Sequence, residues 1–281
     1  MNKLTLECRA KINLAIDVIG KRADGYHDVE MILQEVPLAD RLTLQLRGDQ
    51  DIRLTSNLSS LPLGEENLAY QAAQIFFRRL GQPSGVDIHI EKRIPMGAGM
   101  GGGSADAAGT LKGLNAIFGQ PFETDKLMEL GADLGADVPF CIMGGCALAQ
   151  GIGEILTPLP MPPAMKCVIA KPEPSVSTKW VYEHLDYTKK PENLSVSCVA
   201  EGIRNGDLSA ICQNAANILE TVTIPAYPVV GWLKQALSEA GAVLSLMSGS
   251  GSAVFGLFRS TEEAEKGAAL ARQYTNDIFI I

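Results

Sequence analysis

The first fifty residues alternate between apolar and polar side chains, which predicts that the chain opens with strands. Four stretches, residues 4–8, 13–19, 29–36 and 41–46, show the two-residue period of half-buried strands. Residues 20–25 begin and end with glycine and separate the second stretch from the third as a long turn. We therefore expect consecutive antiparallel strands in this part of the chain.

Helical periodicity follows these strands. Residues 66–80 place apolar side chains three and four positions apart, as in an amphipathic helix, and residues 86–91 predict another strand. A second helix, with one apolar stripe over residues 107–117, follows a glycine-rich segment. A third helix is predicted over residues 124–134, with Thr124 as its N-terminal cap.

A cluster of prolines gives the best domain boundary. Four of the seven residues 157–163 are proline, which a helix or the interior of a sheet does not accommodate. We therefore predict two domains, residues 1–157 and 164–281. Strands mixed irregularly with helices indicate that both are α+β domains. In the second domain, strands are predicted over residues 166–171, 242–247, 253–258 and 278–281, with a helix from Thr261.

The composition is typical of a globular protein with an excess of acidic residues. The 281 residues are 46% hydrophobic and 20% charged, which excludes a disordered chain, and the net charge is −8. An acidic excess argues against binding nucleic acid or an anionic membrane surface. No apolar run is long enough for a signal peptide or a membrane span, so a cytoplasmic location is expected.

Cysteine and histidine give little support for a metal site. The six cysteines include no C-x-x-C pair, and the three histidines are scattered along the chain. The simplest interpretation is a set of buried thiols in a reducing compartment.

Glycine is the unusual component, with 28 residues in the chain and five of them between Gly97 and Gly103. This run lies between a predicted strand and a predicted helix. Glycines allow successive backbone N–H groups to converge, and a helix N-terminus adds the positive end of its dipole. The segment therefore predicts a cradle for an anion, and phosphate is the natural ligand.

The run has three alternative interpretations. A Walker A loop is excluded because Gly103 stands where its lysine should be. The spacing of Gly97, Gly99 and Gly102 matches a dinucleotide-binding pattern, but no acidic residue ends a second strand at the required distance. A purely structural glycine turn also stays open, although glycine is costly in entropy unless something must approach closely.

Four further motifs each have a structural explanation beside a functional one. Lys11 and Asn13 share one face of a strand, and an exposed strand lysine is as good an interpretation as a functional one. Residues 24–27, Asp-Gly-Tyr-His, suit an ordinary solvated turn. Asp137 follows a predicted helix, where a carboxylate is commonly a cap, and residues 248–251 suit a hairpin.

Together these motifs resemble those of the GHMP kinases, which include galactose, homoserine, mevalonate and phosphomevalonate kinases. The resemblance covers essentially the whole chain. It implies a ribosomal protein S5 domain 2-like N-terminal domain, a ferredoxin-like C-terminal domain, and ATP as the phosphoryl donor. The family's ATP-binding motif corresponds here to Pro95, Met96, Gly97, Ala98, Gly99, Met100, Gly101, Gly102, Gly103, Ser104 and Ala105.

The resemblance also implies catalytic residues. It makes Lys11 the catalytic lysine, Asp137 the base that accepts a hydroxyl proton, and Asn13 a substrate contact. Mg²⁺ would accompany ATP, with Ser104 as a possible ligand. Residues 248–251 would form a glycine loop that packs against the phosphate loop. Alanine follows Asn214 where the family often has an acid, so the segment 214–220 receives no role.

The most similar branch of the family acts on a methylerythritol linked to cytidine diphosphate, in isoprenoid precursor synthesis. The resemblance implies that Tyr26 stacks on the cytosine and His27 binds its polar edge. Thr178 and Tyr182 would add a substrate contact and a second stacking ring, with Trp180 as the competing ring. A monomer or weak homodimer with small-molecule partners is expected. The alternatives are a kinase of another alcohol such as mevalonate, or a non-catalytic nucleotide-binding regulator.

Overall fold

The computed structural model describes residues 2–281 and has the mixed α+β composition that the sequence predicts. The strands are β1 (Lys3–Lys21), β2 (His27–Arg47), β3 (Ile52–Ser56), β4 (Gly85–Glu91), β5 (Cys146–Gln150), β6 (Ile155–Leu159), β7 (Lys166–Lys171), β8 (Leu244–Met247), β9 (Val254–Phe258) and β10 (Asp277–Ile280). The helices are α1 (Leu68–Leu80), α2 (Gly102–Ile117), α3 (Thr124–Ala132), α4 (Val138–Met143), α5 (Thr178–Glu183), α6 (Val196–Asn205), α7 (Leu208–Asn214), α8 (Glu220–Ala226), α9 (Pro228–Glu239) and α10 (Thr261–Ala271).

The N-terminal strands are longer than their periodicity predicts. The four predicted stretches form only two strands, β1 and β2. Consecutive residues from Ala10 to Ile16 are buried on both faces of β1, so the alternation that marks a half-buried strand disappears in its middle. Thr124 is not the cap of α3, because Glu123 occupies that position and Thr124 is the first helical residue.

Contacts divide the chain into two compact units. The first comprises the described residues through Lys11, together with Val36–Ile94 and Gly101–Gly144. In it β4 pairs in parallel with β3 and antiparallel with residues 41–47 of β2. Helices α1 and α2 pack together, and Phe76 meets the rings of Phe77, Phe118 and Phe122 at centroid distances of 5.4–6.0 Å.

The second unit comprises Ile12–Glu35, Pro95–Met100 and Gly145–Ile281. Its four-stranded sheet has the order β10-β7-β9-β8, and each neighbouring pair is antiparallel. This order, with helices between β7 and β8 and between β9 and β10, is that of a ferredoxin-like fold and agrees with the predicted C-terminal domain. The predicted boundary between residues 157 and 164 stays a prediction.

Three sequence expectations, on prolines, membrane spans and cysteines, can be compared with the structure. Pro158 lies in β6, which is at the edge of its sheet, where a missing N–H is tolerated. Across residues 2–281, no helix combines the length and apolarity that a bilayer span needs. The expectation of uniformly buried thiols is wrong for Cys198, which is exposed, and incomplete for Cys212, which is half-buried.

Helix α2 depends on its buried apolar face, which leads to a stability prediction. Leu111 is fully buried on this helix, whereas Leu63 is 47% exposed. Leu111→Ala should lower the free energy of unfolding by about 2–5 kcal/mol, because it removes buried methyl groups and leaves a cavity. Leu63→Ala should cost less than about 1 kcal/mol. Urea unfolding measures both, and equal losses would contradict the assigned core.

Candidate functional site

The glycine run forms a tight loop that leads directly into α2. Gly97, Gly99 and Gly101 have φ angles of 62°, 72° and 69°, in the left-handed region where a side chain is strained. Gly101 is the N-cap of α2, which begins at Gly102. The first N–H groups of the helix have no intrahelical acceptor and point towards this loop, at the positive end of the dipole. The first turn of α2 can therefore bind an anion.

In the first unit, Lys11 and Asp137 meet beside this helix start. Lys11 Nζ lies 3.4 Å from Asp137 Oδ2, and the lysine is only 4% exposed whereas the carboxylate is partly open. A Cβ atom built on Gly101 would lie 3.4 Å from Lys11 Cε and 3.8 Å from Asp137 Oδ2. The pair thus adjoins the N-cap of α2. It combines a proton acceptor with a fixed positive charge next to an anion-binding backbone.

Secondary structure fixes both members of this pair. Lys11 projects from the doubly buried middle of β1, so its stem is held by packing on all sides. Asp137 immediately precedes α4, and Pro139 in the first turn of that helix restricts the backbone next to it. The Asp137 side chain makes no capping bond to α4, and its Oδ2 lies beside Lys11 instead.

A second, fully buried charged cluster includes Asp106 of α2 and was not predicted from the sequence. Lys92 Nζ donates to Asp40, and to Asp106 Oδ2 at 2.9 Å. Burial raises the pKa of Asp106 to about 7 against the opposing effect of Lys92. Burial disfavours the charged form of Lys92, but its two carboxylate partners outweigh this and raise its pKa. In the sequence, the only indication of this cluster was a lysine before Pro95 and an aspartate after Ser104, and periodicity does not show that the two side chains pair.

In the second unit, the glycine run packs directly on the loop that joins β8 to β9. Ser248 Oγ donates to the Gly99 carbonyl oxygen at 3.0 Å, and Ala253 N–H donates to the Ala98 carbonyl oxygen at 3.3 Å. A Cβ atom at Gly99 would overlap the carbonyl oxygen of Ser248. The expected contact between the two glycine loops is therefore present, and it is close enough to require glycine.

The segment 214–220, which received no role from sequence, supports this second loop. Asn217 Nδ2 donates to the carbonyl oxygens of Met247 and Gly249, both at 2.8 Å. Glu220 Oε1 accepts from Met247 N–H at 2.8 Å. Asn217 is completely buried, so these bonds satisfy its amide and fix the loop backbone.

An aromatic cluster in the second unit brings together some of the residues predicted to bind a base. The ring centroids of His27 and Tyr182 are 5.2 Å apart, and Tyr187, which was not predicted, meets His27 edge-on at 6.5 Å. Partial burial, followed by the charge of Lys21, lowers the pKa of His27 and favours a neutral ring. Tyr26 is 61% exposed in the turn.

The competing ring has a different neighbour. Trp180 lies against His184, with ring centroids 4.5 Å apart. Thr178 Oγ1 is hydrogen-bonded to Ser250 Oγ at 2.8 Å, which links the first residue of α5 to the second glycine loop. Asn13 is fully buried and its amide donates to Met31 Sδ at 3.6 Å.

No protein-only metal centre is evident in the part of the chain that the structure describes. Within residues 2–281, no three His, Cys, Asp or Glu side chains are grouped so as to hold a metal ion. Ser104, in the first turn of α2, is half-buried beside the glycine run. A metal ion carried on a nucleotide takes most of its ligands from phosphates and water, and so needs few protein ligands.

Comparison with known proteins identifies the family. The family model described as the GHMP kinases N terminal domain matches residues 67–145, and the GHMP kinases C terminal model matches residues 199–276. The chain is 44% identical over 281 residues to 4-diphosphocytidyl-2-C-methyl-D-erythritol kinase of Geobacter metallireducens, covering 100% of this chain and 98% of that protein. It is 46% identical over 266 residues to the enzyme of the same name from Lachnoclostridium phytofermentans, covering 95% and 91% of the two chains.

Solved structures agree with these sequence matches. A crystal structure of 4-(cytidine 5'-diphospho)-2C-methyl-D-erythritol kinase superposes with a TM-score of 0.81 at 35% identity, covering 99% of this chain and 98% of the other. Homoserine kinase from Cytophaga hutchinsonii shares the fold, with a TM-score of 0.75 at 21% identity over 100% and 94% of the two chains. Both halves of the chain, the glycine loops and full-length relatives agree, and the chain belongs to the GHMP kinase family.

Proposed function

We propose that this chain transfers the γ-phosphoryl group of ATP to the 2-hydroxyl of 4-diphosphocytidyl-2-C-methyl-D-erythritol, in the methylerythritol phosphate route to isoprenoid precursors. The observation that carries the proposal is the ion pair of Lys11 and Asp137 beside Gly101, where α2 begins. Full-length relatives above 40% identity that carry this enzyme name support the choice of substrate.

The ion pair supplies the two functions that phosphoryl transfer to an alcohol requires. The attacking hydroxyl must lose its proton, and the partly exposed Asp137 carboxylate can accept it. The transferring group carries negative charge on its oxygens, and the Lys11 ammonium can neutralise part of it from a position that packing holds fixed. No reorganisation of a flexible surface lysine is needed.

The glycine run supplies the phosphate site. Its three left-handed glycines direct the backbone towards the first turn of α2, where free N–H groups and the helix dipole favour phosphate oxygens. Mg²⁺ bound to ATP would neutralise further phosphate charge, and Ser104, in the first turn of α2, would be the residue that ligates it or a phosphate oxygen.

The aromatic cluster is the proposed cytidine site. A cytosine ring presents two flat faces for stacking and a polar edge for hydrogen bonds. His27 and Tyr182 already lie together, and a neutral His27 offers one donor and one acceptor to the polar edge. This arrangement favours Tyr182 over Trp180 as the second stacking ring, and Tyr26, exposed in the turn, would be the first.

The activity can be tested by measuring ADP release with different alcohols. The purified protein with Mg²⁺ and ATP should release ADP with 4-diphosphocytidyl-2-C-methyl-D-erythritol, and mass spectrometry should show one added phosphoryl group on that substrate. Mevalonate and homoserine should give no more than the background rate. Turnover of mevalonate alone would replace the proposal with another alcohol kinase. ATP binding without turnover of any alcohol would indicate a regulator.

Removing the proposed base should slow turnover strongly without affecting the fold. Asp137→Asn should lower kcat by about 100- to 10,000-fold, because the amide cannot accept the hydroxyl proton. Lys11→Met should lower it by about 100- to 1,000-fold through loss of charge stabilisation. Steady-state kinetics at saturating ATP measure both effects. Asp133→Asn, on an exposed residue four positions away, is the matched control and should retain normal kcat. A kcat for Asp137→Asn close to the wild-type value would rule out the assigned base.

The assignment of the stacking ring can be tested independently of catalysis. Tyr182→Ala should raise KM for the cytidyl substrate by about 5- to 150-fold, the effect of losing a base–aromatic stack of about 1–3 kcal/mol. The KM for ATP should not change. Trp180→Ala serves as the matched comparison and should leave both constants close to normal, because its ring lies on His184. The reverse pattern would move the stacking role to Trp180.

A further inference from the structure

We propose that Lys92, Asp40 and Asp106 form a buried clasp that joins the two ends of the glycine loop and holds it in its nucleotide-binding shape. These are positioning residues, since their side chains are buried and are not the proposed phosphate ligands. The proposal rests on the proposed function, because it assigns these residues a role in presenting the ATP site.

The positions of the three residues along the chain make the clasp possible. Lys92 stands three residues before Pro95, and Asp106 stands three residues after Gly103. Their side chains meet at 2.9 Å between Lys92 Nζ and Asp106 Oδ2, with both side chains at most 4% exposed. One buried contact therefore closes the chain on either side of the loop.

Asp40 anchors this contact to the sheet. Its Oδ1 accepts hydrogen bonds from the backbone N–H groups of Arg93 and Ile94, the latter at 2.8 Å, and its Oδ2 accepts from Lys92. Asp40 is completely buried in β2. The entrance to the loop is thus fixed to β2 through the backbone, and its exit is fixed through Lys92 and Asp106.

The loop needs such an anchor because of its composition. Gly97, Gly99 and Gly101 adopt left-handed conformations, and Gly102 and Gly103 follow, so the free segment would lose much conformational entropy on ordering. A contact that brings the loop ends together restricts the segment before the ligand arrives, and preorganisation of this kind increases affinity. ATP then binds without having to order the loop itself.

The cluster is built for geometry more than for stability. Asp106 Oδ1 is buried without a hydrogen-bond partner, which is costly, and the cluster carries two carboxylates for one ammonium. Buried ion pairs of this kind are often no more stabilising than apolar residues of the same volume. Lys92 Nζ would also lie 3.3 Å from a Cβ atom at Gly102, so the ammonium supports the first turn of α2 directly.

Two substitutions of Asp106 test the clasp while leaving Asp40 paired with Lys92. Asp106→Asn keeps a side-chain oxygen for Lys92, so the affinity for a non-hydrolysable ATP analogue should stay within about threefold of wild type. Asp106→Ala removes the acceptor and should weaken that affinity by about tenfold or more. In the Ala variant the amides of residues 97–103 should exchange hydrogen faster. The kcat at saturating ATP should fall less than about threefold, because bound ATP orders the loop and the catalytic residues are unchanged.

A control separates the clasp from a general loss of stability. Ile88 is buried in β4 and pairs with Leu44 and Leu54 rather than with a clasp residue, so Ile88→Ala should lower Tm without changing nucleotide affinity or exchange in residues 97–103. Calorimetry measures Tm and nucleotide affinity, and hydrogen exchange measures the opening of residues 97–103. Normal nucleotide affinity in Asp106→Ala, or an equal loss in Ile88→Ala, would overturn the clasp.

The outcome is distinguishable from failure of the proposed function. The clasp is measured by nucleotide affinity and amide exchange, neither of which requires an alcohol substrate or turnover. A wild-type protein that binds the analogue but phosphorylates no alcohol would refute the proposed function. Faster exchange and weaker nucleotide binding in its Asp106→Ala variant would still support the clasp.

Discussion

The backbone conformation of the glycine run is the constraint on which the site depends. Gly97, Gly99 and Gly101 are all left-handed, and this alternation turns the chain sharply enough to start α2 at Gly102. A side chain at Gly99 would overlap the carbonyl oxygen of Ser248, so the approach of the two glycine loops also needs a bare backbone. The absence of side chains exposes the helix N–H groups to an anion and allows both loops to be held by main-chain contacts.

Around this loop the protein places charge where it is needed while remaining acidic as a whole. The net charge of −8 opposes the approach of two polyanionic substrates, so the site must be a local exception. Lys11 beside Gly101 and the start of α2 provide positive potential at the surface of the site. Lys92 adds no net positive charge, because Asp40 and Asp106 both pair with it, so its contribution is to hold the backbone in place.

Each glycine loop is supported by a residue from elsewhere in the chain that makes hydrogen bonds to main-chain atoms. Asp40 accepts from the N–H groups of Arg93 and Ile94, whereas Asn217 donates to the carbonyl oxygens of Met247 and Gly249. Each of these two side chains is completely buried and thus cannot exchange its partners for water. Both loops are rich in glycine, so much of their rigidity comes from these buried side chains.

The sequence by itself determined the strong local signals and the motifs: the α1 and α2 periodicities, the C-terminal strands, the glycine run, and the resemblance that selected Lys11 and Asp137. Only the tertiary structure decided features that depend on distant partners. Periodicity split β1 because burial on both faces removes alternation, and it missed β3, whose pairing with β4 is non-local. The pairing of Lys92 with Asp40 and Asp106, and the packing of His27 on Tyr182, join residues 14 to 155 positions apart. No local pattern records such contacts, because they are created by the fold that brings separate strands and helices together.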